Sequence, residues 1–305
     1  MPSTHLLPDD HDHPVHQHPP QPKPRISAWT VTKTPRSASA ARLLQHEYPE
    51  PYVREATAAD LDEISAFSAR AFHHDPEMNW FGGLRFKADS TEAEEAQSLK
   101  NLGTFLDMVH RSVLIVGGRI NVVALPQGAA GPEKLVAYCA WVPPNKVVEG
   151  TLTTVRARGH RILSKWGLGF VWRATAVFKP RIATIVKKSL KSKGFGTTDH
   201  FRIEITATDP DYQGRGFSTL LMKDGIAVSD ASKPITLEAT TAHSRDIYAH
   251  QGFELIETLK LGAGDVDVNG YKVTDKQKAV GFDVYVMARW PSSRIPAATR
   301  ASGGQ

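Results

Sequence analysis

Thr208-Asp209-Pro210-Asp211-Tyr212-Gln213-Gly214-Arg215-Gly216-Phe217-Ser218-Thr219-Leu220-Leu221 is the stretch on which the reading of the fold turns. Its left flank, from Phe201 to Thr208, alternates like a strand, and its right flank, from Phe217 to about Val228, has the spacing of a helix. Asp-Pro and Gly-x-Gly between them spell a turn. A helix that starts directly after a strand leaves its first N–H groups pointing outward at the positive end of the macrodipole. Gly214 and Gly216 let the backbone approach a bulky anion, and Arg215 adds a charge-assisted donor. Together these features make a pyrophosphate cradle of the helix-N-terminus kind. A tight strand-to-helix turn without any ligand shares the short pattern, so a bare Gly-x-Gly would not separate the two readings.

Elements order themselves outward from this turn. Downstream come a strand at Ile235–Thr240, a short helix around Ser244–His250, and strands near Phe253–Leu261 and Phe282–Arg289. Upstream, Tyr52–Ala56 alternates like a strand. Thr57 with Asp60 three residues on marks a helix start. Leu61, Ile64, Phe67, Ala71 and Phe72 then follow at helical spacing, up to about His73-His74-Asp75-Pro76. The spacing predicts a second helix over Glu92–Val109 and strands over Val113–Val116, Ile120–Ala124 and Leu135–Val142. Gly117-Gly118 reads as a hairpin between the first two strands, and Pro143-Pro144 stops the third. The alternation implies a mixed α/β sheet with helices on both faces.

The segment 144–199 interrupts that order as a basic helical insertion. Ile162, Trp166, Phe170, Val171 and Ala174 recur at helical spacing, Pro180 breaks the run, and a second helix spans about Ile182 to Leu190. From Thr151 to Lys193 there are eleven Lys/Arg and no Asp or Glu, so the net charge of +5 belongs to this segment and the remainder of the chain is negative. Three roles are open to it: a lid over an acceptor site, a recruiter of anionic substrate, or a membrane-surface contact using Trp166, Phe170 and Trp172. The lid is the favoured one. Residues 1–49, rich in Pro, His, Ser and Ala, read as a disordered tail. Its cluster His11, His13, His16 and His18 reads as solvated rather than metal-binding. Residues 50–305 form the folded domain in this reading. Cys139 is the only cysteine, which excludes an internal disulfide and fits a cytoplasmic setting. No apolar run is long enough to span a membrane, and no nucleic-acid reading motif accompanies the basic charge.

Gln213-Gly214-Arg215-Gly216-Phe217-Ser218 resembles the Gln/Arg-x-x-Gly-x-Gly/Ala signature of the GNAT acyltransferase superfamily. A second block agrees: Pro234-Ile235-Thr236-Leu237-Glu238-Ala239-Thr240, then Ile247-Tyr248-Ala249-His250-Gln251-Gly252-Phe253. Within the superfamily the chain is similar to puromycin N-acetyltransferase-like small-molecule acetyltransferases. That likeness rests on Ala71-Phe72…Pro76, Trp141-Val142-Pro143-Pro144 and a long insertion before the cofactor strand. Ser218 departs from the usual Gly or Ala, and Thr241 stands where many members carry Asn.

The resemblance implies a mixed, mostly antiparallel sheet whose strands Phe201–Thr208 and Ile235–Thr240 are parallel and splay apart. It implies acetyl-CoA as cosubstrate and direct transfer to a primary amine of a small molecule in a ternary complex. The backbone of Thr206, Ala207 and Thr208 is then expected to hold the pantetheine arm. Gln213, Gly214, Arg215, Gly216, Phe217, Ser218 and Thr219 are expected at the pyrophosphate, with Ser244 nearby. Tyr248 is expected to protonate the departing thiolate. A phenol near pKa ~10 and a thiol near ~8.5 make that transfer only mildly uphill. Glu204, with Arg202 and Thr206 on its face, and Glu238 on the neighbouring strand are the candidate bases, a salt bridge to Arg202 being the alternative role. His200 and His243 are lesser candidates. Asp75 and Glu77 are possible amine ligands whose expected role is loop solvation. Metal ligands and nucleic-acid partners are not expected; a homodimer stays open. Rival readings are a protein or peptide acetyltransferase, a CoA-binding module without turnover, and acyl-CoA decarboxylation on the same scaffold.

Overall fold

The computed structural model of the protein describes residues 50–291, apart from 88, 128–130 and 149. The N-terminal tail and its histidine cluster lie outside the described residues. Among the described residues seven strands form one sheet, in the order β1-β2-β3-β4-β5-β7-β6. They are β1 Tyr52–Glu55, β2 Arg119–Leu125, β3 Lys134–Val142, β4 Phe201–Thr208, β5 Ile235–Ala239, β6 Glu254–Leu261 and β7 Phe282–Arg289. The pair β4–β5 is parallel and the other neighbours are antiparallel. The expected mixed α/β sheet is therefore present.

β3 explains why the sheet needs a layer on each side. Its residues Leu135–Val142 are all buried, as befits a strand covered on both faces. Tyr138, Ala140 and Val142 pack with Leu61, Ile64 and Phe67 of α1 (Leu61–Ala71) and Val113 of α3 (Glu92–Ile115). Ala137, Cys139 and Trp141 face the other way, onto Phe217, Leu221 and Met222 of α7 (Phe217–Ala227). Trp141, 1% exposed, fits there because Gly225 on α7 has no side chain to meet its indole ring.

The feature that shapes the molecule lies in β4. Antiparallel pairing with β3 runs from Arg202↔Val142 to Thr208↔Ala137, but it shifts between Ala140 and Trp141, whose partners are Ile205 and Ile203. Glu204 is thus the extra residue of a β-bulge. A bulge bends its strand and raises the local twist. On its other side β4 pairs with β5 only at Phe201↔Ile235 and Arg202↔Thr236. Beyond Arg202 the two strands part, which leaves one edge of β4 open. The bulge also corrects the expectation that Arg202, Glu204 and Thr206 share a face. Thr206 pairs with Cys139 and Arg202 with Val142, and these β3 residues belong to opposite cores.

Three local expectations are replaced. Val113–Val116 is not a strand: α3 continues to Ile115, because Val113 extends the buried face that already holds Leu102, Phe105 and Leu106. Gly117-Gly118 ends this helix rather than turning a hairpin. Gly117 sits at φ 81° and the Gly118 N–H donates to Val113 O at 2.8 Å, a left-handed helix termination. The chain after His73-His74 forms a helix, α2 (Pro76–Gly82), whose N-cap Asp75 accepts from the N–H groups of Glu77 and Met78. Asp-Pro is the expected start signal for such a helix.

The insertion holds α4 (Thr151–Arg156), α5 (His160–Val171) and α6 (Lys179–Ser192), the last two joined by a π-helical stretch, Trp172–Phe178. Pro180 opens α6 instead of breaking a helix; the irregular point is Gly167, at φ 67° and ψ −171°. Replacing Gly225 by Ala is expected to cost about 1–3 kcal/mol, the range for overpacking a core site, because the added methyl collides with the Trp141 ring. Urea unfolding of the variant measures this; an unchanged midpoint would mean that α7 shifts freely on the sheet.

Candidate active site

The turn after β4 is built rigidly. Asp209, 1% exposed, receives Arg70 Nη2 on Oδ2 at 2.7 Å and the N–H of Asp211 on Oδ1 at 3.3 Å. Its own N–H donates to Val136 O at 2.8 Å. The turn is therefore tied to both α1 and β3. Gln213 Nε2 reaches back to Thr208 O at 3.3 Å, and the Arg215 guanidinium lies over the Tyr212 ring, 4.8 Å from its centroid. Gly214 and Gly216 have φ values of 75° and 81°, a backbone conformation that strains any other residue. Gly216 is the N-cap of α7, and the Leu220 N–H makes the first helical bond, to Gly216 O at 3.1 Å. The N–H groups of Phe217, Ser218 and Thr219 belong to the unsatisfied first turn of a helix. No atom lies within 4 Å of where a Cβ would stand on Gly214 or Gly216, so a bulky anion has access.

A cavity of about 650 Å³ extends from this turn into the gap between β4 and β5. The residues of the expected catalytic and cofactor sites all border it: Glu204, Thr206, Ala207 and Thr208 on β4, Gln213 to Thr219 on the turn, Glu238 on β5, Ser244 and Tyr248 on α8 (Ala242–His250). Ser244 and Tyr248 are four residues apart on α8 and so share a face. Thr241, the departure from the usual Asn, caps α8 by accepting the Ser244 N–H at 3.1 Å. Of the two lesser candidates, His243 borders the cavity as well. His200 does not, and burial lowers its pKa to about 4. Cys139 is fully buried, and burial pushes its thiol up to about 12, so it is no nucleophile.

The insertion closes the far side. Phe170, Ala174, Phe178 and Lys179 border the cavity beside Phe81 and Phe105. Phe81 meets Phe170 and Phe178 edge-on, with ring centroids 5.9 and 5.4 Å apart. Arg173 Nη2 donates to Phe81 O at 2.7 Å, which holds the insertion to α2.

Four acidic residues border this space: Asp75, Glu77, Glu204 and Glu238. Arg202 answers two of them, with Nε 3.3 Å from Glu204 Oε2 and Nη2 3.5 Å from Glu238 Oε2. Asp75 is engaged by the backbone of α2 and by the Thr240 hydroxyl. Asp75 and Glu77 are 9% and 7% exposed, which overturns the expected role in loop solvation. Burial raises the Asp75 carboxyl. Burial and then the negative neighbours Asp75 and Glu238 push Glu77 well above the usual carboxylate range. The sequence carried a sign of this placement, the Asp-Pro start of a helix, but nothing local told which way that helix faces. The Tyr248 hydroxyl is raised above the ordinary phenol range, first by burial and then by Cys139 and Asp75. It stays protonated at any working pH.

No protein-family model matches the chain, and no curated protein matches it. Among solved structures it is similar to a histone acetyltransferase HPA2 and related acetyltransferase from Corynebacterium glutamicum, with 21% identity and a TM-score of 0.47 over 79% of this chain and 97% of that one. It is also similar to arylalkylamine N-acetyltransferase 2 from Aedes aegypti, with 14% identity and a TM-score of 0.45 over 79% and 99%. A third is a polyamine N-acetyltransferase from Drosophila melanogaster, with 15% identity and a TM-score of 0.35 over 78% and 99%. The mostly antiparallel sheet with one splayed parallel pair is the arrangement that the sequence resemblance implies.

A carboxyl held above its unfolded value, about 4.3 for Glu, favours the fold only while it is protonated. Its contribution is present below that value and is lost as pH rises through the folded pKa. Glu77→Gln is therefore expected to stabilise the protein at pH 8, with the gain fading towards pH 4.5. Thermal unfolding at several pH values checks this; a pH-independent difference would remove Glu77 from the titrating set.

Proposed function

We propose that the protein is an acyl-CoA-dependent N-acetyltransferase that acts on a primary amine of a small molecule. One observation carries the reading: a single cavity joins a helix-N-terminal Gly-x-Gly turn, an open strand edge, a buried tyrosine and a cluster of carboxylates. The first two suit a long, pyrophosphate-bearing cosubstrate, and the last two suit a reaction in which an amine loses protons and a leaving group gains one.

In this reading the N–H groups at Phe217–Thr219, with Arg215, bind the pyrophosphate. The open edge of β4 at Thr206–Thr208 takes the pantetheine arm as an added strand. Bound there, acetyl-CoA supplies an activated thioester. The backbone near Ala207 donates to the acyl oxygen as negative charge develops on it. Tyr248 holds its proton at Oη for the departing sulfur. Its raised pKa keeps that proton on Oη until negative charge develops on the sulfur. Glu204 and Glu238 are the bases suggested by the sequence, and both are ion-paired with Arg202, a role that orients them and Arg202 at the acceptor end. A site of this kind belongs with small-molecule acetyltransferases, the puromycin N-acetyltransferase-like group among them, and with a cytoplasmic enzyme. The insertion contributes Phe170, Ala174, Phe178 and Lys179 to the cavity wall, which favours a small acceptor over a protein one.

Calorimetric titration with acetyl-CoA tests the cosubstrate. One molecule is expected to bind per chain, and Gly214→Val with Gly216→Val is expected to abolish binding in a protein that still folds. Retained affinity in that double variant would sink the cradle assignment. For the acid, Tyr248→Phe is expected to lower the rate of thiol release about 10²-fold or more while acetyl-CoA affinity stays the same. A variant as fast as the parent would show that the sulfur leaves without help from this hydroxyl.

A further inference from the structure

The geometry points to Glu77 as the group that receives the acceptor amine as a cation and takes its first proton, in a pocket fitted to a monoamine with an apolar, aromatic body. The proton transfer rests on the acyltransferase reading; the binding of the amine does not.

Three of the four carboxylates at the cavity have partners that account for them. Asp75 accepts two backbone N–H groups and the Thr240 hydroxyl. Glu204 and Glu238 are within ion-pair distance of Arg202. Glu77 differs. It is 7% exposed and borders the cavity, and its carboxylate has no hydrogen bond or ion pair among the described residues. Burying a carboxylate without a partner costs free energy, and the fold gains nothing visible in return. A ligand that brings a cationic N–H donor would supply the missing partner.

The groups facing Glu77 favour this too. Asp75 at the start of α2, Glu238 on β5 and Glu204 on β4 are negative, against Arg202 on β4, so the local balance attracts a positive charge. Lys179 at the start of α6 and His243 on α8 border the same cavity.

The rest of the ligand is read from the neighbouring wall. Phe81 lies four residues after Glu77 on α2, on the same face of the helix, and it too borders the cavity. Around it stand Phe105, Phe170 and Phe178, with ring centroids 6.1, 5.9 and 5.4 Å from its own. The insertion that contributes two of these rings has no Asp or Glu between Thr151 and Lys193. A second ammonium reaching into that wall would be desolvated without a counter-charge, whereas an aromatic or alkyl body would be well packed.

The proton count closes. The amine enters as R–NH3+ and gives one proton to Glu77. Its freed lone pair forms the N–C bond to the acyl carbon, and the C–S bond breaks with its electron pair on sulfur. The sulfur takes a proton from Tyr248 Oη, and the nitrogen's second proton restores that hydroxyl. Glu77 then returns its proton to water, so the products are amide, free thiol and one proton.

Titration calorimetry of the full-length protein without acetyl-CoA, using 2-phenylethylamine and 1,4-diaminobutane as probes, tests the proposal. The parent protein is expected to bind 2-phenylethylamine more tightly than 1,4-diaminobutane. Glu77→Gln, which keeps the side chain's shape, is expected to weaken 2-phenylethylamine binding about tenfold or more without loss of fold by thermal unfolding. A parent protein that binds neither amine, or a Glu77→Gln variant with unchanged affinity, would overturn the assignment. Equal affinity for the two probes would overturn its monoamine part. Acetyl-CoA titrated into the same two proteins reports separately on the acyltransferase reading: if that cosubstrate fails to bind, the amine titration still decides the case of Glu77.

Discussion

Everything in the candidate site depends on β4 leaving β5 after two residue pairs. Two parallel strands that stayed paired would fill the gap with their own hydrogen bonds, and no ligand could add to the ladder. The bulge at Glu204 prevents this by bending β4 while its pairing with β3 continues to Thr208. The same bend sets the turn at Gly214–Gly216 at one end of the opening and brings β5 with Glu238 to its side. Asp209 holds the arrangement, since its ties to Arg70 and Asp211 fix the turn against α1.

A second constraint is electrostatic. Four carboxylates bordering one cavity, only two of them paired with Arg202, form a costly arrangement for a fold to keep. Its position at the meeting point of β4, β5 and α2 ties that cost to the cavity. The aromatic contacts from Phe81 to Phe105, Phe170 and Phe178 supply apolar burial beside it. The insertion therefore does two jobs: it completes a core for α2 and α3, and it walls one end of the cavity.

Local chemistry was legible wherever a short stretch carries its own physics. The turn from Thr208 to Thr219 needs only a strand, two glycines and a helix start, and its residues from Tyr212 onward border the cavity together with Thr208. The apolar run of β3 announced a doubly covered strand. Misreadings arose where two structures share one local pattern. Gly117-Gly118 serves equally as a hairpin or as the end of a helix, and the decision fell to Val113, whose buried contacts continue the face of α3. Pro180 fits a break or a helix start, and only the packing of Phe178 and Ile182 into one core distinguishes them.

Residue order alone was enough for the Gly-x-Gly turn and for the strand and helix that flank it, because these rest on backbone conformation and spacing within a few residues; Tyr248, before Gly252-Phe253, was singled out by the family resemblance. The state of Glu77 and the pairing of Glu204 and Glu238 came only with the packed chain. A carboxylate's charge and reach depend on burial and on neighbours from distant segments, here α2, β4 and β5. No local pattern encodes which of several acidic residues will end without a partner at the edge of a cavity.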